Sequence, residues 1–253
     1  MPAGRVERRN SIVARHSTVA RNSTVAAVIF DLDGVIVDSE IWWHEERAAW
    51  ARDLGLEWSH EDSRAVMGAN SHGWARIMRE RLALPQDTEP GIEADIIARV
   101  VQRYEAGAPT IPGAVDAVRR IAGHWPVAIA SSAHRAVIEA ALRATGLDQE
   151  IPVVLSSDDV ANGKPAPDVY LAAAEALGIR AEACLAVEDS INGVRAARSA
   201  GMTVVLVPNH SIPPAEGAAD LADLVLDRLA DLDPATVARQ WSDIETDSPE
   251  GST

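Results

Sequence analysis

Six short apolar runs punctuate the chain: VAAVIF (25–30), PVAIA (126–130), PVVL (152–155), CLAV (184–187), TVVLV (203–207) and LVL (224–226). They are continuous rather than alternating, so each strand must be covered on both faces. A sheet of that kind is parallel, and parallel strands need crossover segments between them. Helical patterns supply those segments: AVDAVRRIAGH, HRAVIEAALRATG, DVYLAAAEALG and INGVRAARSAG, several closed by Gly. Alternation of this type predicts an α/β fold with a doubly wound, Rossmann-like parallel-sheet core.

One interval breaks the rhythm. From 41 to 106 there is no strand signal, only helical patterns such as WWHEERAAWARDLG, HGWARIMRERLAL and IEADIIARVVQRYEAG. This predicts a helical cap domain inserted after the first strand, with the core formed by 25–40 and 107–232. The return segment GAPTIPG (107–113) holds two Gly and two Pro, which suits a hinge. Residues 233–253 read as a C-terminal helix and tail, and the acidic end SDIETDSPEGST is expected to be disordered. The first 24 residues carry a hexad repeat (NSIVAR, HSTVAR, NSTVAA) and five Arg. They lack the apolar core of a secretory signal and are too few for a solenoid, so a disordered leader is expected.

Net charge is −15, which argues against a nucleic-acid backbone or an anionic membrane as partner. No run approaches the roughly 18 apolar residues of a membrane span. Cys184 is the only cysteine, which excludes an intrachain disulfide and fits a reducing, cytoplasmic setting. Lying beside LAV, it reads as a small core residue rather than a nucleophile. A monomer or weak homodimer is expected.

The chemistry collects after the strands. In an open parallel sheet, ligands bind beyond the carboxyl ends of the strands. Strand one runs into DLDGVIVDSE, delivering Asp31 and Asp33. Strand two delivers Ser131 and Ser132, and strand three precedes SSDDVANGKPAPD with Lys164, the only lysine. Strand four delivers Glu188 and Asp189. Carboxylates gathered on one edge repel one another and call for a cation; oxygen ligands suit Mg²⁺, which usually shares its shell with a phosphate. Hydroxyls, helix-start N–H groups and Lys164 would hold the other phosphate oxygens. A carboxylate beside such a phosphate can attack phosphorus, and a second can protonate the leaving oxygen.

DLDGVIVDSE, ASS (130–132), GKPAPD (163–168) and VEDSINGVRAARSAGM (187–202), in that order, resemble the haloacid dehalogenase-like superfamily, within its phosphatase and β-phosphoglucomutase branch. The resemblance covers about Val25 to Leu229. It implies that Asp31 is the nucleophile and Asp33 the general acid and then base, with its backbone carbonyl on Mg²⁺. It also implies Asp189 as a metal carboxylate, Glu188 acting on the metal through water, and Ser131, Ser132 and Lys164 as phosphate-binding residues. Gly34 would allow the sharp turn after the catalytic pair.

Several neighbours have two readings. Asp38 and Glu40 are expected to be a solvated helix start rather than ligands. Asp158 and Asp159 either orient Lys164 or cap their loop. His134 and Arg135 either meet a substrate anion or form a first-turn surface pair, and Ser131 is expected to double as a helix N-cap. Most cap tryptophans (Trp42, Trp43, Trp50, Trp58 and Trp74) should be cap core, with one or two lining the pocket.

Dehalogenation needs no metal and neither Asp33 nor Asp189, so their presence disfavours it. A binding module that had kept only the phosphate site would be marked by loss of Asp31 or Asp33, and both are present. The mutase alternative turns on the cap. Mutases of this branch carry a His shortly after the first motif and an Arg after a cap Gly. Here His44 falls one position late, a turn of about 100° on a helix, and Ser71 stands in place of the Arg. The expected activity is therefore Mg²⁺-dependent hydrolysis of a small phosphorylated metabolite, with a β-phosphoglucomutase-type activity as the alternative.

Overall fold

A computed structural model describes residues 24–66 and 69–238, together with the backbone of Val13–Ala14. Its centre is a seven-stranded sheet in the order β1-β7-β6-β5-β2-β3-β4. The strands are β1 (Val13–Ala14), β2 (Ala27–Phe30), β3 (Val127–Ser131), β4 (Val153–Ser156), β5 (Cys184–Glu188), β6 (Thr203–Leu206) and β7 (Leu224–Val225). Strands β2 to β7 pair in parallel, as the continuous apolar runs require. Only β1 runs antiparallel, against β7. Those two residues belong to the expected leader, most of which lies outside the described residues, as do 239–253 of the tail.

Successive side chains of each strand enter opposite layers. Val28, Phe30, Ile129, Leu185 and Val187 pack with α5 (Ala114–Ala122) and α6 (Arg135–Thr145). Ala27, Ile29, Ala128, Ala130 and Ala186 pack with α7 (Asp168–Leu177) and α8 (Ile191–Ser199). The second layer is built largely from alanines, which lets α7 and α8 approach the sheet closely. The edge strand β4 keeps only Ser156 fully buried.

Four helices fill the interval between β2 and α5: α1 (Glu40–Asp53), α2 (His60–Val66), α3 (Ser71–Arg81) and α4 (Glu89–Glu105). Their tryptophans form much of a local core: Trp43, Trp50, Trp58 and Trp74 are buried with Met78, Ile92 and Ile96. Helix α4 is tied to α1 by Arg103, which is 2.6 Å from both Glu45 and Glu46, and by the Trp50 indole N–H donating to Asp95. None of the helices among the described residues is long and apolar enough to cross a membrane. After β2 the chain builds β3 and β4 on one side, then returns to place β5 on the other. The carboxyl end of β2 is thus the point where the winding reverses, and ligands bind at such a point.

Candidate active site

Asp31 follows β2 directly, and its backbone N–H is held by the Val187 carbonyl of the neighbouring strand. Two residues on, Asp33 lies in a tight turn in which Gly34 donates to the Val37 carbonyl. Gly34 has φ +86°, and a Cβ there would stand 2.0 Å from Asp189 Oδ2. A glycine is therefore required by both conformation and space, and its absent side chain lets the end of β5 close on the turn after β2.

Lys164 arrives from the loop after β4. Its ammonium donates to Asp31 Oδ1 and to Glu188 Oε1, each at 2.6 Å, and all three side chains are buried. Truncating Lys164 would leave two carboxylates facing each other out of water, a change that costs about 3–5 kcal/mol for buried pairs. Glu188 also accepts from the Tyr170 hydroxyl at 2.8 Å, while its second oxygen accepts from the Asp189 and Ser190 N–H groups and the Ser190 hydroxyl. A Cβ on Gly193 would overlap this carboxylate at 1.7 Å, so α8 can start above Glu188 only with glycine at that position.

A pocket of about 300 Å³ opens over these residues, lined by Asp31, Asp33, Ser131, Ser132, Lys164 and Asp189. The structure therefore gathers six of the seven sequence-predicted site residues around one cavity. The seventh, Glu188, lies beneath it, with no exposed surface and both carboxylate oxygens hydrogen-bonded. The Ser131 hydroxyl accepts from the Ala133 N–H at 3.1 Å, whereas the cap of α6 is His134, whose ring nitrogen accepts from the Ala136 N–H. Ser131 thus closes the turn before the helix instead of capping it.

Charge is out of balance here, with four carboxylates (Asp31, Asp33, Glu188 and Asp189) around one ammonium. Burial pushes the Asp31 carboxyl up to about 7, with Lys164 opposing and Glu188 adding to the rise. Asp189 is raised well above the carboxylate range by burial and by Glu188 and Asp31. Asp33 is raised by burial, opposed first by the Ser39 hydroxyl that donates to it. A site that strains to ionise its carboxylates is one that a cation would relieve. Oxygens of Asp31, Glu188 and Asp189 lie within 4.8 Å of one another, close enough to serve one ion. The all-oxygen donor set fits Mg²⁺.

The neighbours resolve differently. Glu40 is the first residue of α1 and only half-buried, but the solvent it faces is that of the pocket, where burial, then Asp33, push its carboxyl up to about 7. Asp33 and Val37 bridge across the turn that precedes α1, and Glu40, Trp43 and Arg47 of that helix line the cavity. Asp38 accepts from the Ser211 hydroxyl at 2.5 Å. Asp158 accepts from the Ser71 N–H, and Asp159 caps its own turn and pairs with Arg135 at 2.6 Å. Neither bonds Lys164. His134 and Arg135 are absent from the pocket lining, and Trp43 and Trp74 are the two tryptophans that line it. Cys184 is a buried β5 residue whose thiol burial pushes up to about 11.

Sequence reasoning missed Arg47, which lines the pocket together with Trp43. Its signal was the spacing Glu40, Trp43, Arg47, Trp50, one face of a helix.

A family model described as haloacid dehalogenase-like hydrolase matches residues 25–201. The fructose-1-phosphate phosphatase YqaB of Escherichia coli (strain K12) is 33% identical over 181 residues, covering 71% of this chain and 95% of its own. Protein CbbY of Rhodobacter capsulatus is 34% identical over 198 residues, 73% of this chain and 86% of its own. Among solved structures, CbbY from Rhodobacter sphaeroides in complex with phosphate superposes with a TM-score of 0.75 at 26% identity, covering 85% of this chain and all of that one. The motifs, their place at the carboxyl edge and the family match agree: this chain belongs to the haloacid dehalogenase-like hydrolase family.

Proposed function

We propose that the chain is a Mg²⁺-dependent phosphatase acting on a small phosphate monoester, most simply a sugar phosphate, through a phosphorylated Asp31. The observation that carries this is the convergence of Asp31, Asp33, Ser131, Lys164 and Asp189 on one cavity. The names and coverage of the relatives support it, YqaB being called a fructose-1-phosphate phosphatase.

In this reading the substrate phosphate sits against the Ser131 hydroxyl, the Ser132 N–H and the Lys164 ammonium. Asp31 attacks phosphorus through one carboxylate oxygen, forming a P–O bond as the ester P–O bond breaks. Protonated Asp33 gives its proton to the departing alkoxide; burial favours that protonated form. Asp33, now a carboxylate, takes a proton from the water that attacks phosphorus, and Asp31 is released with inorganic phosphate. Lys164 is fixed by Glu188, and Glu188 by Tyr170 and the start of α8, so the ammonium is held ready before substrate binds. Asp31 and Asp189, with the Asp33 carbonyl and Glu188 through water, would hold Mg²⁺. Bound there, Mg²⁺ supplies positive charge against the phosphate oxygens.

The mutase alternative is disfavoured by where the cap residues lie. His44 bonds Ser63 at 2.8 Å and stacks on His60, outside the pocket lining, while Trp43 holds the pocket-facing register. Ser71 is fully buried and absent from the pocket lining.

Colorimetric phosphate release over a panel of phosphate monoesters tests the proposal. Turnover should appear with Mg²⁺, vanish in excess chelator and be inhibited by Ca²⁺, which accepts bidentate carboxylates and would tie up the Asp31 oxygen needed for attack. Undiminished turnover in chelator would overturn the metal requirement.

A further inference from the structure

Of the two cations that line the pocket, Lys164 pairs with Asp31 and Glu188, whereas among the described residues Arg47 pairs with no carboxylate. It is 6% exposed and lines the cavity from the α1 side. Its guanidinium carbon lies 5.1 Å from the Trp43 ring centre and 5.0 Å from that of Trp74, in the notch between two indoles inclined at 62°. Among the described residues no hydrogen bond or ion pair reaches it, and its Nε is buried without a partner. A buried cation of this kind is unfavourable unless something pairs with it.

Among the described residues, the carboxylate that acts on Arg47 does not fill that role. Glu40, two turns earlier on the same face of α1, attracts Arg47 but makes no hydrogen bond to it. The two ring centres are only 6.0 Å apart, so the indoles crowd the guanidinium from neighbouring directions and do not enclose it, and Arg47 also borders the cavity. A guanidinium at a cavity wall suits a planar or tetrahedral oxyanion, bound by parallel hydrogen bonds.

We infer that Arg47 is the receptor for a second anionic group, carboxylate or phosphate, at the far end of the substrate. This rests on the phosphatase reading and narrows it: the substrate carries two anions, one handled by Asp31 and Lys164, the other seated on Arg47 between Trp43 and Trp74. Esters with a neutral far end lack the partner that Arg47 requires, so they bind less well and do not settle the charge.

Matched substrate pairs test the inference. In 3-phosphoglycerate and glycerol 3-phosphate, a carboxylate replaces a hydroxymethyl group; in fructose 1,6-bisphosphate and fructose 1-phosphate, a phosphate replaces a hydroxyl. The Mg²⁺-loaded protein should prefer the anionic member of at least one pair in kcat/KM, on the order of 10²-fold, and which pair responds identifies the anion. In Arg47→Met that ratio should fall close to one, mainly through KM. In Arg47→Lys, which keeps the charge and loses the planar fork, it should be intermediate. Because the readout is a ratio within one protein, a variant that folds poorly still reports. Preference for the neutral members, equal rates within both pairs, or a ratio unchanged in Arg47→Met would overturn the inference. Absence of phosphate release from every ester, p-nitrophenyl phosphate included, would instead remove the phosphatase reading on which it rests.

Discussion

Gly34 and Asp189 approach so closely that a single added methyl group would stand 2.0 Å from Asp189 Oδ2. The turn after β2 and the end of β5 are therefore fitted to each other at the point where the proposed metal carboxylate lies. Gly34→Ala must either abandon φ +86° or displace Asp189, and both changes fall inside the site. Turnover should drop at least ~10²-fold, with weaker Mg²⁺ affinity, while the far-ultraviolet circular dichroism stays native. Wild-type kinetics in Gly34→Ala would show that the two loops move independently.

Asp31 and Asp33 should separate kinetically. Asp31→Asn removes the attacking oxygen, and turnover should vanish for every ester. Asp33→Asn keeps the nucleophile and loses the proton donor, a loss worth about 10²–10⁴-fold. The deficit should be smaller for p-nitrophenyl phosphate, whose leaving group needs no proton. Steady-state rates for an alkyl and an aryl ester decide it; equal losses on both esters would take the acid role away from Asp33.

A third expectation concerns pH. Glu40 shifts from its ordinary 4.5 up to about 7 in the folded chain. Between those values the folded state holds a proton that the unfolded state has released, so stability falls as pH rises through this window and then levels off. Glu40→Gln lacks the titration. Between pH 5 and pH 8, in chelator, the wild type should lose roughly 1–3 kcal/mol more than the variant. Urea unfolding at the two pH values measures this, and parallel pH profiles would mean that Glu40 ionises normally.

Much of the fold was legible because burial leaves a simple mark. Strands β2, β3, β5 and β6 are buried on both faces and had to be continuous apolar runs. The site was legible for a related reason: a parallel sheet brings the residues after its strands to one edge, so Asp31, Ser131, Lys164 and Asp189 could be grouped without knowing a single distance. That Glu40 faces the pocket was not legible, because its place beside the charge of Asp33 is a relation between neighbouring turns that a helix-start pattern does not encode. Arg47 was missed for a similar reason. On the sequence it is one more charged residue of HEER, and only the arrival of Trp74 from α3 turns it into a buried cation. His44 went the other way, since a one-residue offset on a helix was enough to predict that it faces elsewhere.

The central claim is hydrolysis, and ³¹P nuclear magnetic resonance tests it in one tube. The Mg²⁺-loaded protein is given β-glucose 1-phosphate with the priming bisphosphate, alongside fructose 1-phosphate, and inorganic phosphate and glucose 6-phosphate are followed together. Water should reach the phosphorylated Asp31, because neither His44 nor Ser71 matches the mutase pattern. The account predicts that the inorganic phosphate signal grows while glucose 6-phosphate forms at a negligible rate. Glucose 6-phosphate forming faster than inorganic phosphate would contradict it.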